Sequence, residues 1–148
     1  MKISKNGIAI IIQFEGFSAE AYFCPAGKKT IGYGHVILSG ETFDNDKISL
    51  GEAHELLAKD IEWVEEAIHE SVNVELTQNQ YDALCSFIYN VGANAFEKST
   101  LLRLLNSSDY NSAAGQFNRW IYSNGRKLAG LASRRQAESA LFSSTMQI

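Results

Sequence analysis

Proline is nearly absent from this chain of 148 residues, since Pro25 is the only one, and cysteine occurs only as Cys24 and Cys85. The scarcity of proline argues against long linkers and low-complexity tails. Two cysteines do not make the dense pattern of a small disulfide scaffold, so we expect two free thiols. Three scattered histidines and two distant cysteines show no metal-ligand spacing, and there is no cofactor-binding loop. Neither a metal nor a cofactor is therefore predicted.

Long apolar runs and a strong positive charge are also missing. The apolar run at residues 8–12 follows two lysines but has five residues, too few for a membrane span or a signal peptide. We therefore expect synthesis in the cytoplasm. The net charge of −4 does not favour nucleic acid as a partner. Residues 97–148 carry a balance of +4, which fits either an anionic partner or an ordinary difference between helix surfaces.

Apolar residues at three- to four-residue spacing predict a mostly helical chain. Ser4 caps a first helix that ends near residue 14. The pair Ser49 and Glu52 is a capping box that opens a long helix to about residue 70. A helix that is apolar on almost every side is expected at 78–91, and Gly92 ends it. Shorter helices are predicted at about 98–106, at 110–122, and at 132–143, where Ser133 and Gln136 have capping-box spacing.

Residues 17–38 have a different pattern, with short β-prone runs on either side of the turn signal Pro25-Ala26-Gly27. We predict a twisted hairpin, with a third strand near residues 41–43. The expected fold class is α+β and mostly helical, in one domain over residues 1–148. A small β-hairpin lobe (about 16–48) and a larger helical lobe (1–15 and 72–148) are joined by the long helix (about 49–71).

The candidate chemistry begins at Glu15, a carboxylate at the end of the first helix. The helix dipole disfavours a negative charge there, which suggests a group that keeps its proton. Cys24 and Thr30 follow it in the hairpin, and a hairpin that faces a helix terminus brings all three into one cleft. An acid, a second basic group and a water-holding hydroxyl suit hydrolysis at an acetal centre. On these residues alone, each of the three also fits an ordinary structural role.

The segments Glu15-Gly16, Ala21-Tyr22 to Cys24, and Thr30-Ile31-Gly32-Tyr33-Gly34-His35 resemble the active-site signature of the phage-type lysozymes, the endolysins of glycoside hydrolase family 24. Asn90-Val91-Gly92 and Arg134-Arg135 are similar to later segments of that family. The resemblance covers about residues 8–143. It implies a lysozyme-like fold and a muramidase, which cuts the β-1,4 bond between N-acetylmuramic acid and N-acetylglucosamine in bacterial peptidoglycan.

The resemblance also implies roles for the residues. Glu15 would be the general acid that protonates the glycosidic oxygen, and Thr30 would hold the attacking water. Cys24 stands where the family usually has aspartate, so it would act as a base, a nucleophile or only a small filler. Tyr33 and Asn90 would bind the glycan, although Asn90 also suits the end of a helix.

Two further residues would support the site. His35 would form a hydrogen bond with an acid near the long helix and so tie the lobes together, rather than act as an acid–base group. Arg134 would approach Glu15, where it would oppose protonation, or else lie exposed on its helix. Trp120 and Cys85 are expected in the core.

Two alternatives to hydrolysis remain open at this point. A lytic transglycosylase, which forms anhydro-muramic ends, needs no second catalytic group at position 24. A catalytically weak cell-wall-binding module would keep only the fold. For the leading interpretation we expect a monomer that reaches the cell wall in the periplasm with the help of a holin or similar membrane-disrupting partner, and then lyses the host.

Overall fold

The structure, a computed structural model, describes residues 1–144 and confirms the α+β class, in which a small antiparallel sheet accompanies a mostly helical chain. The helices are α1 (Lys5–Glu15), α2 (Leu50–Ser71), α3 (Gln78–Val91), α4 (Ala93–Glu97), α5 (Thr100–Asn106), α6 (Tyr110–Gln116) and α7 (Ala129–Ser143). The strands are β1 (Ser18–Phe23), β2 (Lys29–Gly32), β3 (His35–Val36), β4 (Tyr122–Ser123) and β5 (Arg126–Lys127). The last four residues of the predicted domain lie outside the described range.

The small lobe is a three-stranded antiparallel sheet in the order β1-β2-β3. Ile31 of β2 is fully buried in its core. Gly32 lies so close to α2 that a Cβ atom there would be 3.3 Å from the Cβ of Ala53. The prediction of a third strand near residues 41–43 is wrong. Glu41 instead accepts a hydrogen bond from the backbone N–H of Leu38 at 2.7 Å, so its carboxylate closes a turn.

Helix α2 joins the two lobes, and its capping box forms as predicted. The Ser49 hydroxyl accepts from the backbone N–H of Glu52, and the Glu52 carboxylate accepts from that of Ser49, both at 3.1 Å. Twenty-two residues make a rod of about 33 Å. Its first half, including Leu57, contributes to the core of the small lobe. Its second half, including Ile68, contributes to the core of the helical lobe.

Helix α3 lies at the centre of the helical lobe, and every residue from Tyr81 to Ile88 is buried. It packs against α7, α1 and α2, which brings the end of α1 close to α7. Within residues 1–144, no helix is long and apolar enough to cross a membrane.

Two details after α5 differ from the sequence predictions. The helix expected at 110–122 ends at Gln116 and is followed by a 3-10 turn and by the β4-β5 hairpin. The hairpin loop is Asn124-Gly125 with positive φ at both residues, a pairing that is a strong hairpin signal in sequence. Helix α7 begins at Ala129 rather than near 132, so Ser133 lies inside the helix and caps nothing.

Candidate active site

Glu15 is the last residue of α1, where Gly16 leaves the helix with φ of 68°. Its side chain is 17% exposed, and Oε2 accepts a hydrogen bond from Nη1 of Arg134 at 2.6 Å. The backbone of Gly34 lies against the same carboxyl group. A Cβ atom at Gly34 would be 2.8 Å from Cδ of Glu15, so a side chain at that position would displace the acid.

A cavity of about 490 Å³ opens beside Glu15, and we call it the central cavity. The turn after β1 contributes Cys24 and Pro25 to it, α3 contributes Asn90, and the segment before β4 contributes Trp120. A neighbouring cavity of about 440 Å³ shares Glu15 and Asn90 and extends along the start of α7. The structure therefore brings three predicted site residues, Glu15, Cys24 and Asn90, to the wall of one cavity.

Cys24 is held by the backbone of a tight turn. Its N–H donates to the carbonyl of Lys28 at 2.9 Å, and its carbonyl accepts from Gly27 at 2.8 Å. The Cys24 thiol is half-buried and the Cys85 thiol is buried, and both are free. Burial raises the pKa of Cys24, but hydrogen bonds from the backbone of Lys28 and Ala26 and from the Thr30 hydroxyl outweigh it, so the pKa lies below its ordinary value. A lowered pKa increases the thiolate fraction near neutral pH.

Tyr22 lines the central cavity together with Glu15 and Cys24. Its pKa is raised, first by burial and then by the negative charges of Glu15 and Cys24. Both groups are therefore close enough to Tyr22 to act on it electrostatically. Tyr22 is accordingly a neutral hydroxyl group in the cavity.

The structure does not bring two of the predicted site residues to the cavity surface. Thr30 is 2% exposed, and its hydroxyl donates to the carbonyl of Lys28 at 2.9 Å. Tyr33 is 6% exposed, and its hydroxyl lies 3.2 Å from Nε2 of His54. The Tyr33 ring lies inside the small lobe, where its hydroxyl contacts His54 of α2, and its binding of the glycan stays a prediction. Thr30 lies beside Cys24 instead of opening into the cavity.

His35 joins the small lobe to α2. Its Nδ1 lies 2.7 Å from Oδ2 of Asp60, and its Nε2 lies 2.9 Å from Oε1 of Glu41. The hydrogen bond with Asp60 raises the pKa of His35, burial opposes the rise, and the bond with Glu41 adds to it. The position fits the structural role expected for this histidine.

Arg134 belongs to a buried polar network that the sequence analysis did not predict. Its Nε lies 3.2 Å from Oε2 of Glu138 and 3.3 Å from Oγ of Ser86, and its Nη2 donates to the carbonyl of Ser86 at 3.0 Å. Nε of Arg135 lies 2.7 Å from Oε1 of Glu138. The available signals were Ser86 within an apolar helix and the i, i+4 spacing of Arg134 and Glu138 on α7.

The central cavity can therefore carry out acid–base chemistry on a substrate placed between its two sides. A carboxyl group lies on the helical side, and a thiol with a lowered pKa lies on the hairpin side. Cleavage of an acetal needs a proton for the leaving oxygen and a base or nucleophile for the opposite face. Among residues 1–144, no group of three or more His, Cys, Asp or Glu side chains is arranged to hold a metal ion.

Comparison with known proteins gives concordant results. The phage lysozyme family model matches residues 12–138. An endolysin of Acyrthosiphon pisum secondary endosymbiont phage 1 is 43% identical over 148 residues, which is 97% of this chain and 99% of the relative. The endolysin of Salmonella phage P22 is 44% identical over 149 residues, covering 96% of this chain and 98% of that protein.

Two solved structures are similar over nearly the full length. The muramidase domain of SpmX from Asticaccaulis excentricus superposes with a TM-score of 0.86 at 37% identity, over 97% of this chain and 99% of that one. A mutant of P22 lysozyme superposes with a TM-score of 0.81 at 42% identity, over the same shares of the two chains.

Proposed function

The chain belongs to the phage lysozyme family, and from that premise we propose that it is an endolysin that hydrolyses bacterial peptidoglycan. The enzyme is a lysozyme-type glycoside hydrolase, and its substrate is the glycan strand of the cell wall. The bond cleaved is the β-1,4 linkage between N-acetylmuramic acid and N-acetylglucosamine. The observation that carries the proposal is the placement of Glu15 and Cys24 on the wall of one cavity.

Glu15 is the general acid of the proposed reaction. The glycan lies in the central cavity with its glycosidic oxygen against the Glu15 carboxyl group, which gives it a proton as the bond breaks. Gly34 allows the small lobe to approach this carboxyl group, and Arg134 orients it through Oε2. Asn90, which is exposed at the end of α3, supplies an amide for the hydroxyl and acetamido groups of the sugars.

Cys24 is the second catalytic group of the proposal. The hydrogen bonds that lower its pKa favour a thiolate, which accepts a proton from the attacking water or attacks the sugar itself. Thr30 supports this group from inside the hairpin, because its hydroxyl contributes to the lowered pKa of Cys24. In the proposed reaction, substrate binding exposes the Thr30 hydroxyl, which then holds the attacking water.

Mass spectrometry of digested peptidoglycan tests the reaction. Purified peptidoglycan is incubated with the parent protein, and the new glycan ends are identified. New reducing ends support hydrolysis, whereas anhydro-muramic ends would indicate a lytic transglycosylase, and no new ends would leave only binding. Glu15→Gln keeps the side-chain shape but removes the acid, and we expect its rate to fall by about 10²- to 10⁴-fold. Full activity of Glu15→Gln would contradict the proposed mechanism.

The biological setting is the second part of the proposal. We propose that the protein is made in the cytoplasm of a phage-infected bacterium, acts on the wall in the periplasm as a monomer, and crosses the membrane through a lesion made by a holin or similar partner. This part is supported by membership of the phage lysozyme family and by the similarity of the chain to phage endolysins.

Expression in a bacterial host tests the release pathway. Lysis is expected when a holin is co-expressed or the inner membrane is permeabilised, and little lysis is expected from the protein alone. Lysis without permeabilisation would overturn the need for a partner. Sedimentation of the purified protein checks the monomer, since a dimer at micromolar concentration would contradict that part.

A further inference from the structure

A buried network surrounds Arg134 and links α3, α7 and the end of α1. The guanidinium group makes polar contacts on all sides: Nη1 with Glu15 at 2.6 Å, Nη2 with the Ser86 carbonyl at 3.0 Å, and Nε with both Ser86 Oγ at 3.3 Å and Glu138 Oε2 at 3.2 Å. Arg134 is 3% exposed, and Ser86 and Glu138 are fully buried. A guanidinium group fixed at three nitrogens has little freedom to turn away from Glu15.

Ser86 and Glu138 do not touch the central cavity, but they contact each other as well as Arg134. The Ser86 hydroxyl donates to Oε2 of Glu138 at 2.5 Å. That oxygen therefore receives hydrogen bonds from both a hydroxyl and a guanidinium group. On the other side of Glu138, Nε of Arg135 lies 2.7 Å from Oε1. The guanidinium group of Arg135 lies over the Phe87 ring, 5.0 Å from its centroid, so a cation–π contact with α3 stabilises it.

The charges of this network are balanced, with two arginines and two glutamates. Removing any one of the four would leave an uncompensated charge in a dry region, which is costly. The general acid must hold a proton when it acts, and Glu15 then ceases to balance Arg134. Glu138 stays beside Arg134 in that state. Burial raises the pKa of Glu138, but the charges of Arg135 and Arg134 and the Ser86 hydroxyl oppose the rise, so the two guanidinium groups favour its carboxylate form. Without it, the full charge of Arg134 would act on Glu15 and favour the ionised carboxylate.

We propose that Ser86 and Glu138 are positioning residues for the general acid, acting on Glu15 through Arg134. Ser86 fixes the orientation of the guanidinium group, and Glu138 offsets the charge that this group places against the Glu15 carboxyl. This inference rests on the proposed function, since it assigns residues to the acid of that same reaction.

Several titratable or charged groups face Glu15. They lie on separate elements: Arg134 and Arg135 on α7, Tyr22 and Cys24 at the end of β1, and Tyr89 on α3. Burial raises the pKa of Tyr22 and of Tyr89, with the charge of Glu15 contributing to both, so both hydroxyl groups are neutral over the working pH range. Arg134 is the group in direct contact with the carboxylate, and Glu138 contacts Arg134 from the opposite side.

The test compares pH–rate profiles of peptidoglycan hydrolysis for the parent, Glu138→Gln, Glu138→Asp and Ser86→Ala. Glu138→Gln removes the shared charge, so the alkaline limb of kcat/KM, where the general acid loses its proton, is expected to shift to lower pH by about one unit. Glu138→Asp keeps the charge and is expected to restore the position of the limb. Ser86→Ala keeps all charges and is expected to lower kcat by about tenfold with KM unchanged.

Two control variants and the parent protein separate the possible outcomes. Glu97→Gln removes an exposed acid. Ser139 lies on the same helix as Glu138, and Ser139→Ala removes a hydroxyl group that donates to a backbone carbonyl of α6 at 3.0 Å. Neither control is expected to move the alkaline limb of the pH–rate profile or to change kcat.

If folded Glu138→Gln and Ser86→Ala give pH–rate profiles that superimpose on that of the parent after scaling, the positioning role is wrong. If Glu138→Gln does not fold, unchanged kcat in Ser86→Ala overturns the inference. A parent protein that releases no reducing ends would instead overturn the proposed function.

Discussion

The two sides of the central cavity are built in different ways. On the helical side, Glu15 is held by a buried arginine, and that arginine is held in turn by Ser86 and Glu138. On the hairpin side, Cys24 is held by a turn whose neighbours Pro25 to Lys29 are all exposed. A buried charge network is expensive to disturb, whereas an exposed turn tolerates change. Changes on the helical side should therefore reduce stability, and changes on the hairpin side should alter the chemistry while leaving the fold intact.

The largest expected effect breaks the helical side at Arg135, which does not contact Glu15. Arg135→Met fills similar volume but leaves Oε1 of Glu138 without its 2.7 Å partner. The free energy of unfolding is expected to fall by about 3–5 kcal/mol, as for other buried pairs that lose one member. Urea denaturation followed by circular dichroism measures it. Arg126→Met, on the exposed strand β5, is the matched control and should change stability by no more than about 0.5 kcal/mol. A loss below about 1 kcal/mol for Arg135→Met would contradict the picture of a critical buried network.

The second prediction addresses the hairpin side through the reactivity of Cys24. Its pKa lies below the ordinary value because backbone and Thr30 hydrogen bonds outweigh burial, so alkylation by iodoacetamide should reach its half-maximal rate at a lower pH than for an unfolded cysteine. Modification should reduce hydrolysis by about 10²-fold without lowering the unfolding temperature greatly. Mass spectrometry of the modified peptide and an activity assay follow both effects.

The chain supplies its own controls for that experiment. Cys85 is fully buried, and burial raises its pKa, so it should react only after unfolding. Cys24→Asp should stay active and become insensitive to iodoacetamide. Equal labelling of both cysteines in the folded protein would refute the difference between the two environments, and an inactive Cys24→Asp would show that sulfur has a role that a carboxylate cannot fill.

How far the sequence predicts this site depends on the range of the interactions involved. The end of α1 and the capping box of α2 follow from local patterns, and both are present. The positions of Glu15 and Cys24 in the chain suggest a shared cleft, but their catalytic roles rest on the family resemblance, because nothing local orients a hairpin against a helix end. Ser86 and Arg134 of the buried network are 48 positions apart in the chain. Hydrophobic periodicity describes local structure and does not predict contacts between residues so far apart.

Some errors had local causes. The Asn124-Gly125 hairpin is absent from the predicted elements although its signal is present, because the preceding residues continue a helical pattern. Tyr33 was expected in the cleft because it belongs to the signature around Thr30. The local sequence does not show that its ring lies inside the small lobe.

The third prediction concerns the link between the small lobe and α2. The pKa of His35 is raised, chiefly by its 2.7 Å hydrogen bond with Asp60. Stability from this pair is therefore fully present below the unfolded pKa of about 6.5. It is lost as the pH rises through the higher folded-state value. Asp60→Asn should lower the free energy of unfolding by about 1.5–3 kcal/mol near pH 6, and the difference from the parent should shrink in alkaline solution.

Urea denaturation at several pH values measures this effect. Asp46→Asn removes a carboxylate whose 3.1 Å pair with Lys29 is exposed on both sides, so it should cost no more than about 0.5 kcal/mol. A destabilisation by Asp60→Asn that is independent of pH would show that the histidine is not the titrating partner.

The smallest expected effect is at the one direct hydrogen bond that the described residues show between the turn after β1 and the β4-β5 hairpin. Nδ2 of Asn124 donates to the carbonyl of Pro25 at 3.3 Å, in an exposed position. Asn124→Gly keeps a residue that tolerates the positive φ of 51° there, so only the amide contact is lost. Because water replaces an exposed hydrogen bond easily, the free energy of unfolding should change by less than about 0.5 kcal/mol. The contact nevertheless bridges the wall of the cavity, and KM for long glycan strands is expected to change more than stability does. A large loss of stability would mean that the turn after β1 depends on the β4-β5 hairpin, and that the hairpin side of the cavity does not fold independently of it.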